Sequence, residues 1–352
     1  DYVGTGKTDG VFQLESAGMK SFIKELKPQS LEDIIAGIAL YRPGPMDFIP
    51  RYLKGKNDKA QAVYDCPQLE PILSPTYGCI VYQEQVMQIV RDLAGYTMGR
   101  SDLVRRAMSK KKTAVMEKER QNFVYGNPEE GVAGCIANGI DEKTANHIYD
   151  EMIDFAKYAF NKSHAACYAV VAVQTAYLKY YYPKEFMAAL MTSVMDNNTK
   201  VAEYILSCRQ MGIGIQPPDI NEGESGFSVA GEGIRYGLSA IKSVGRTMVD
   251  AIVKERESGG FYTSLDDFVE RMGGKELNKR TLENFIKSGA LDSLPGNRRQ
   301  KTMIAPELLE QKNKEKKNSL EGQMSLFDFA GEEEKKQYQI RMPEVEEFPK
   351  EE

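Results

Sequence analysis

Five cations fall within eight residues between Arg105 and Lys112, in the run Arg105-Arg106-Ala-Met-Ser-Lys110-Lys-Lys112. On a helix Arg106 and Lys110 share one face, and Arg105 and Lys112 share a neighbouring stripe. Like charges so placed cost a helix a few tenths of a kcal/mol per pair. A polyanion such as a triphosphate or a nucleic-acid backbone would offset that cost, because guanidinium forks match phosphate oxygens. The alternative is a solvated charged face.

Three further groups carry chemistry. Tyr158-Ala-Phe-Asn161-Lys162-Ser163-His164 offers rings for stacking, side chains for hydrogen bonds and one cation. It stands just before an expected helix, whose free N–H groups suit anions. The plainer reading makes Ser163 an N-cap and His164 an ordinary histidine. Lys242-Ser243-Val244-Gly245-Arg246, set between apolar periodic runs, has the pattern of a helix-hairpin-helix. Such a hairpin grips phosphate through backbone amides without reading base sequence. A structural αα-hairpin is the alternative. Gln323-Met324-Ser325-Leu326-Phe327 is an apolar island in a charged tail, and it reads as a docking peptide.

These groups sit in a chain of 352 residues, 41% hydrophobic and 28% charged, which excludes wholesale disorder and suits two to three domains. No run of about 18 apolar residues supports a membrane span. The net charge of -5 is unevenly spread: Lys301–Glu352 carries nine basic and thirteen acidic residues, whereas Arg100–Arg120 carries eight basic and three acidic. Local basic clusters point to anionic ligands better than the total does. Cys66, Cys79, Cys135, Cys167 and Cys208 are scattered and odd in number. Buried free thiols in a reducing cytosol are expected, without a disulfide framework. Two histidines make a His-rich metal site unexpected.

The elements that position these residues read mainly as helix. Ser30-Leu-Glu-Asp33 has capping-box spacing, and Arg42-Pro-Gly-Pro-Met46 ends the helix that follows. Gly78–Tyr82 leans towards strand. Val86, Ile89, Val90 and Leu93 have helical spacing. Further helices are expected at Ser101–Ser109, Ala114–Phe123, Glu142–Phe155, His164–Tyr182 and Lys184–Met195. The one after Ser163 is apolar on nearly every face, so it is expected to form the buried centre of its domain. Six glycines between Gly212 and Gly233 mark strands, turns and a boundary. Helical units Leu238–Glu257 and Ser264–Leu291 follow, then a mobile Lys/Glu-rich tail from Gln311. The organisation expected is residues 1–211, a connector at 212–237, a hairpin region at 238–310 and a tail at 311–352.

Taken together, the residues resemble one family, the alpha subunit of bacterial DNA polymerase III of the DnaE type. The resemblance rests on Gly10-Val-Phe-Gln-Leu-Glu-Ser16, Ala39-Leu-Tyr-Arg-Pro-Gly-Pro-Met46, Tyr82-Gln-Glu-Gln-Val-Met87 and Leu103-Val-Arg-Arg-Ala-Met108. Phe160-Asn-Lys-Ser-His-Ala165, Gln174-Thr-Ala-Tyr-Leu-Lys179, Pro183-Lys-Glu-Phe-Met187 and Pro217-Pro-Asp-Ile-Asn221 continue it in the family's order. It implies a mainly α fold: a helical fingers domain, with the end of the palm at its extreme N-terminus, then a small helix-hairpin-helix domain with a short β insertion and a flexible tail.

By the same resemblance Arg105, Arg106, Lys110, Tyr158, Asn161, Lys162, Ser163 and His164 would face the incoming dNTP. Arg42, Lys242, Ser243, Val244, Gly245 and Arg246 would contact primer-template DNA. Gln323, Met324, Ser325, Leu326 and Phe327 would dock on the sliding clamp, the beta subunit. Other replisome subunits are implied as partners, and the cytoplasm as location. Catalysis would use Mg²⁺ held by palm carboxylates outside this segment, so no catalytic residue, metal or cofactor is expected within it, and the segment alone is expected to be inactive. Ala159 and Ser243 replace family glycines, and Met324 occupies a variable position. The rival reading is a non-catalytic, helical adaptor that binds DNA and the clamp.

Overall fold

The computed structural model describes residues 1–110, 113–156, 158, 160–273, 277–320 and 341–349. By packing they form two units, Asp1–Tyr180 and Tyr181–Glu352. The fold is mainly helical, with one small sheet.

In the first unit the helices are α1 (Ala17–Leu26), α2 (Leu31–Leu40), α3 (Ile49–Asn57), α4 (Glu70–Leu73), α5 (Gln83–Ala94) and α6 (Met98–Ser109). After them come α7 (Thr113–Tyr125), α8 (Glu142–Ala156) and α9 (Lys162–Tyr181). The capping box forms as read: Ser30 Oγ accepts from the Asp33 amide, and the Asp33 carboxylate accepts from the Ser30 amide. Val86, Ile89, Val90 and Leu93 of α5 are fully buried beside Phe123, Tyr149 and Met152. A second core joins α1 and α2 to an alanine stripe of α9. Gly78–Tyr82 forms no strand; its one bridge pairs Tyr82 with Phe160 in parallel.

The structure overturns the expected burial of α9. Only Ala165, Ala169, Ala172, Ala176 and Lys179 are buried in it, whereas Val170, Val171, Val173, Tyr177 and Leu178 are exposed. The reason is geometric: small side chains at spacings of three and four let the backbone sit close to α1 and α2, and the bulky residues are left on the other side. Cys167 shares that side and is exposed, so four of the five thiols meet the expectation of burial.

The second unit contains α10 (Pro183–Ser193), α11 (Asn198–Gln210), β1 (Ile215–Gln216), β2 (Ser228–Ala230) and β3 (Gly233–Arg235). Then follow α12 (Arg246–Gly259), α13 (Leu265–Met272), α14 (Lys279–Ser288) and α15 (Arg298–Leu320). The sheet has the order β1-β3-β2; β3 runs parallel to β1 and antiparallel to β2, with Ile234 opposite both Ile215 and Val229. Its apolar side joins α10 and α11. The helices α12–α15 enclose their own core around Phe268, Phe285 and Ile252. Fully buried Lys301 donates from Nζ to the carbonyls of Leu291 and Leu294, which tie α15 to the end of α14.

One expectation changes here. Leu238–Glu257 is a short 3-10 turn at Leu238–Ala240 followed by α12. Within the tail, the described residues are 311–320 and 341–349. Helix α15 continues to Leu320, helped by a Glu310–Lys314 pair, and residues 341–349 pack back onto its start. There Asn297 and Gln300 donate to the carbonyls of Val345 and Pro343, and the Glu347 carboxylate accepts from the amides of Arg298 and Arg299. An acidic side chain at a helix N-terminus satisfies donors that have no intrahelical partner. Gln323, Met324, Ser325, Leu326 and Phe327 lie outside the described residues.

Candidate nucleic-acid interface

Within the first unit the basic run and the Tyr158–His164 segment meet through the start of α5. Arg105 reaches from α6 to Gln83 Oε1 at 3.2 Å, and the Gln83 amide donates to the Phe160 carbonyl at 3.0 Å. The next residue, Glu84, accepts from Asn161 Nδ2 at 3.0 Å and from the Lys162 amide at 3.1 Å. Asn161 Oδ1 accepts in turn from the His164 amide, so Asn161, and not Ser163, caps α9. The sequence left an outside anion and an ordinary N-cap as alternatives at this helix start; Asn161 caps it, and Glu84 accepts from the Lys162 amide.

Asp102 divides the two arginines. Its carboxylate accepts from Arg105 at 2.6 Å and from Arg106 at 2.7 Å. Arg105 beside it holds the Asp102 carboxyl below the usual carboxylate range, with Arg106 adding to the effect. The Arg105 side chain is only 17% exposed, whereas that of Arg106 is 61% exposed. Arg105 therefore positions, and Arg106 presents its charge to solvent together with exposed Lys110 one turn on. Lys162 lies over the Tyr82 ring and pairs with Glu32 at 3.0 Å.

The loop Arg42–Met46 completes the cluster. Arg42 sits 4.4 Å over the Phe160 ring, so it belongs with this group. Gly44 has φ +101, and an added Cβ would stand 2.5 Å from the Tyr158 ring, which fixes glycine there. Phe160, His164 and Tyr168 pack ring against ring in series, the first pair edge-on and the second tilted, with ring centroids 5.3 and 4.2 Å apart. Tyr158, Asn161, Ser163 and His164 are exposed. The result is a surface with exposed rings and the cations Arg42, Arg106 and Lys110, braced from below by Gln83, Glu84 and Asp102. Those three bracing residues were missed in sequence because each looks like an ordinary residue of a helix's first turns.

Lys242–Arg246 forms the second group, in the other unit. Ser243 adopts φ +61, the left-handed region glycine usually fills, so the hairpin turn survives the substitution. Buried Val244 anchors the turn, while Lys242, Ser243, Gly245 and Arg246 are exposed. Asn284 Nδ2 donates to the Lys242 carbonyl at 2.8 Å and ties the turn to α14. Helix α12 begins at Arg246 with Gly245 as N-cap and no side-chain cap. Its first amides lack intrahelical acceptors, and nothing lies within 4 Å of a Cβ built at Gly245.

The carboxylates around the first group are committed to partners, Glu32 to Lys162, Glu84 to Asn161 and Lys162, and Asp102 to the arginines. Among the described residues, the one triad of metal-ligand type is Asp65, His147 and Glu151, and Arg51 holds Glu151 at 2.9 Å.

Comparison with known proteins places these groups in context. Residues 1–131 match the bacterial DNA polymerase III alpha subunit finger domain, and residues 212–301 match a helix-hairpin-helix motif. A DNA polymerase III subunit alpha from Borreliella burgdorferi is 44% identical over 92% of this chain, and one from Thermus aquaticus is 48% identical over 83%. The chain belongs to the bacterial DNA polymerase III alpha subunit family. It spans about a quarter of the length of these relatives, 28% and 24% respectively. The matched ranges contain Arg42, Arg105 and Arg106 in the finger match and the whole Lys242–Arg246 turn in the hairpin match. Tyr158–His164 falls between the two matched ranges, and the hydrogen bonds of Gln83 and Glu84 join it to the finger residues.

Proposed function

We propose that this chain works as the fingers and helix-hairpin-helix part of a replicative, DNA-directed DNA polymerase. Arg106, Lys110, Tyr158 and His164 face the incoming dNTP and give charge and stacking, while Arg105, Asn161 and Lys162 hold them in place. Ser163 flanks the same surface. The hairpin holds primer-template backbone through Lys242, Arg246 and the amides that open at Gly245. The metal ions of nucleotidyl transfer are then held elsewhere in a longer polypeptide, and the chain alone extends no primer. Gln323–Phe327 docks on the sliding clamp, and the work is done in the cytoplasm with other replisome subunits.

One observation carries the nucleic-acid reading: α12 starts without a side-chain cap at an exposed glycine beside two exposed cations. That arrangement suits a phosphate and supplies no base-specific contact. Affinity for two unrelated duplexes, measured from low to moderate salt, tests it. Both should bind alike, with a slope in log K against log salt of about 0.9 per phosphate neutralised. A marked preference for one sequence, or a flat salt response, contradicts the reading. For the clamp, an isolated Gln323–Phe327 peptide should bind, and replacing Leu326 and Phe327 with Ala should abolish binding.

A further inference from the structure

Helix α9 has a face that neither the candidate site nor the cores use. From Ser163 to Leu178, sixteen consecutive residues include no Asp, Glu, Lys or Arg. A helix apolar on all sides belongs in an interior or in lipid. No helix of the described residues is long and apolar enough to cross a membrane. One side of α9 is accounted for by its buried alanines. On the other, at about 100° per residue, Cys167, Val170, Val171, Gln174 and Leu178 fall into one stripe. All five are exposed, Val171 at 39% and Leu178 at 46%.

We infer that the stripe Cys167–Leu178 is an internal interface, covered by apolar surface from the part of an alpha subunit that lies outside this chain. The inference rests on the reading that the chain works inside such a subunit. Relatives are more than three times as long, so most of the polypeptide able to cover the stripe is absent here, and it would be tethered at high effective concentration. Contiguous apolar surface rimmed by polar groups is the mark of an interaction site. Helix α9 already serves as a packing platform for its own chain. Phe12 sets its ring 5.2 Å from Tyr168 and donates its amide to Thr175, and Lys179 donates to the carbonyls of Lys7 and Asp9. Those contacts occupy other sides of the helix and leave the stripe exposed.

Cys167 supplies a probe without mutation. The other four cysteines are buried, and burial pushes the Cys79 and Cys135 thiols up to about 11 and about 12. Maleimide labelling at pH 7 is compared between the 352-residue chain and the longer polypeptide that contains it. One thiol should label readily in the chain, and Cys167 should label at least ten-fold more slowly in the longer polypeptide. Equal rates overturn the inference. Protection already present in the 352-residue chain overturns it too: if lost on dilution, a second copy is the cover, and if independent of concentration, the chain closes the stripe itself. Leu178→Asp gives a second readout. It should leave the melting temperature of the 352-residue chain unchanged and lower that of the longer polypeptide, and an equal effect on both contradicts the proposal. Primer extension by the longer polypeptide tests the underlying reading separately, so rapid labelling in an active polymerase refutes the interface alone.

Discussion

Replacing Gly245 with Ala separates binding from folding in the hairpin. Gly245 has an ordinary φ of -79, and a Cβ there meets nothing within 4 Å, so the fold admits alanine without strain. Two small terms then oppose each other. Loss of chain entropy in the unfolded state favours Ala by about 0.4–1 kcal/mol. Glycine is the better N-cap residue by about 0.5–1 kcal/mol. The net effect on stability is within about 0.5 kcal/mol of zero, or a shift of about 2 °C or less in melting temperature for a body of this size. Binding should behave differently. The new methyl stands beside the uncapped amides of Arg246 and Thr247, where a phosphate must come within hydrogen-bond distance. Losing one hydrogen bond to a charged group costs about 1.5–3 kcal/mol, so duplex affinity should fall by about 10- to 100-fold.

Ser243→Gly is the internal control. Relief of a left-handed serine is worth about 1–2 kcal/mol, and the flexibility of glycine takes back about 0.5–1. A gain of about 0.5–1 kcal/mol, or about 1–4 °C, should appear with duplex affinity unchanged. Fluorescence anisotropy with a labelled duplex and thermal melting, run on the same samples, read both quantities. If Gly245→Ala binds like the parent chain, the hairpin amides do not hold phosphate and the argument from the uncapped helix fails. If its melting temperature falls by more than about 5 °C, the variant reports on folding, and the assumed independence of the turn is wrong.

The remaining expectations concern the first unit. Arg105→Ala should cost about 1–3 kcal/mol in denaturant unfolding because it strips a largely enclosed ion pair from Asp102 and a hydrogen bond from Gln83. Arg106→Ala should cost under about 0.5 kcal/mol, yet in the longer polymerase it should raise the dNTP concentration needed for extension by about 10- to 100-fold. Asp102 titrates below its unfolded value, so its contribution is present above the unfolded pKa and is lost as pH falls through the folded one. The melting-temperature difference between the parent and Asp102→Asn should therefore shrink below about pH 4. Gly44→Ala combines a left-handed backbone with a clash against Tyr158, and it should lower the melting temperature by several degrees, as expected for about 1–3 kcal/mol of local strain.

How far the sequence reached depended on how local each signal was. The Ser30–Asp33 capping box, the α5 periodicity and the Arg42–Met46 break are set by residues within one or two turns, and each appears where its spacing puts it. The burial of α9 was misjudged because composition reports that a helix is apolar without reporting which side is covered. The alanines at 165, 169, 172 and 176 were the available signal, since small residues at that spacing mark a close helix contact. The anchored residues 341–349 were invisible because their partners, Asn297, Arg298 and Gln300, stand more than forty positions earlier.

The two helix starts show why motif chemistry needs a census of competitors. At α9 the sequence offers Asn161, Lys162, Ser163 and His164, which together look like an anion site, and the fold spends it on Glu84, a residue about eighty positions away. At α12 the sequence offers Ser243, Gly245 and one cation on each side of the turn. There, no side chain caps the helix. Both starts carry the same partial positive charge and the same orphan amides. The difference lies in whether a carboxylate from the protein arrives first. An internal carboxylate is held in place by the fold and needs no binding entropy, so an outside phosphate would have to displace it at a cost of several kcal/mol. The α9 start therefore fixes the positions of Tyr158 and His164, while the α12 start remains open to a ligand. Removing the competitor gives the converse experiment. Glu84→Gln, which keeps shape and loses charge, should loosen its hold on Asn161 and Lys162 and increase the affinity of the chain for inorganic triphosphate, read by calorimetry. An unchanged or weaker affinity would mean that the start of α9 is shielded by more than the Glu84 charge.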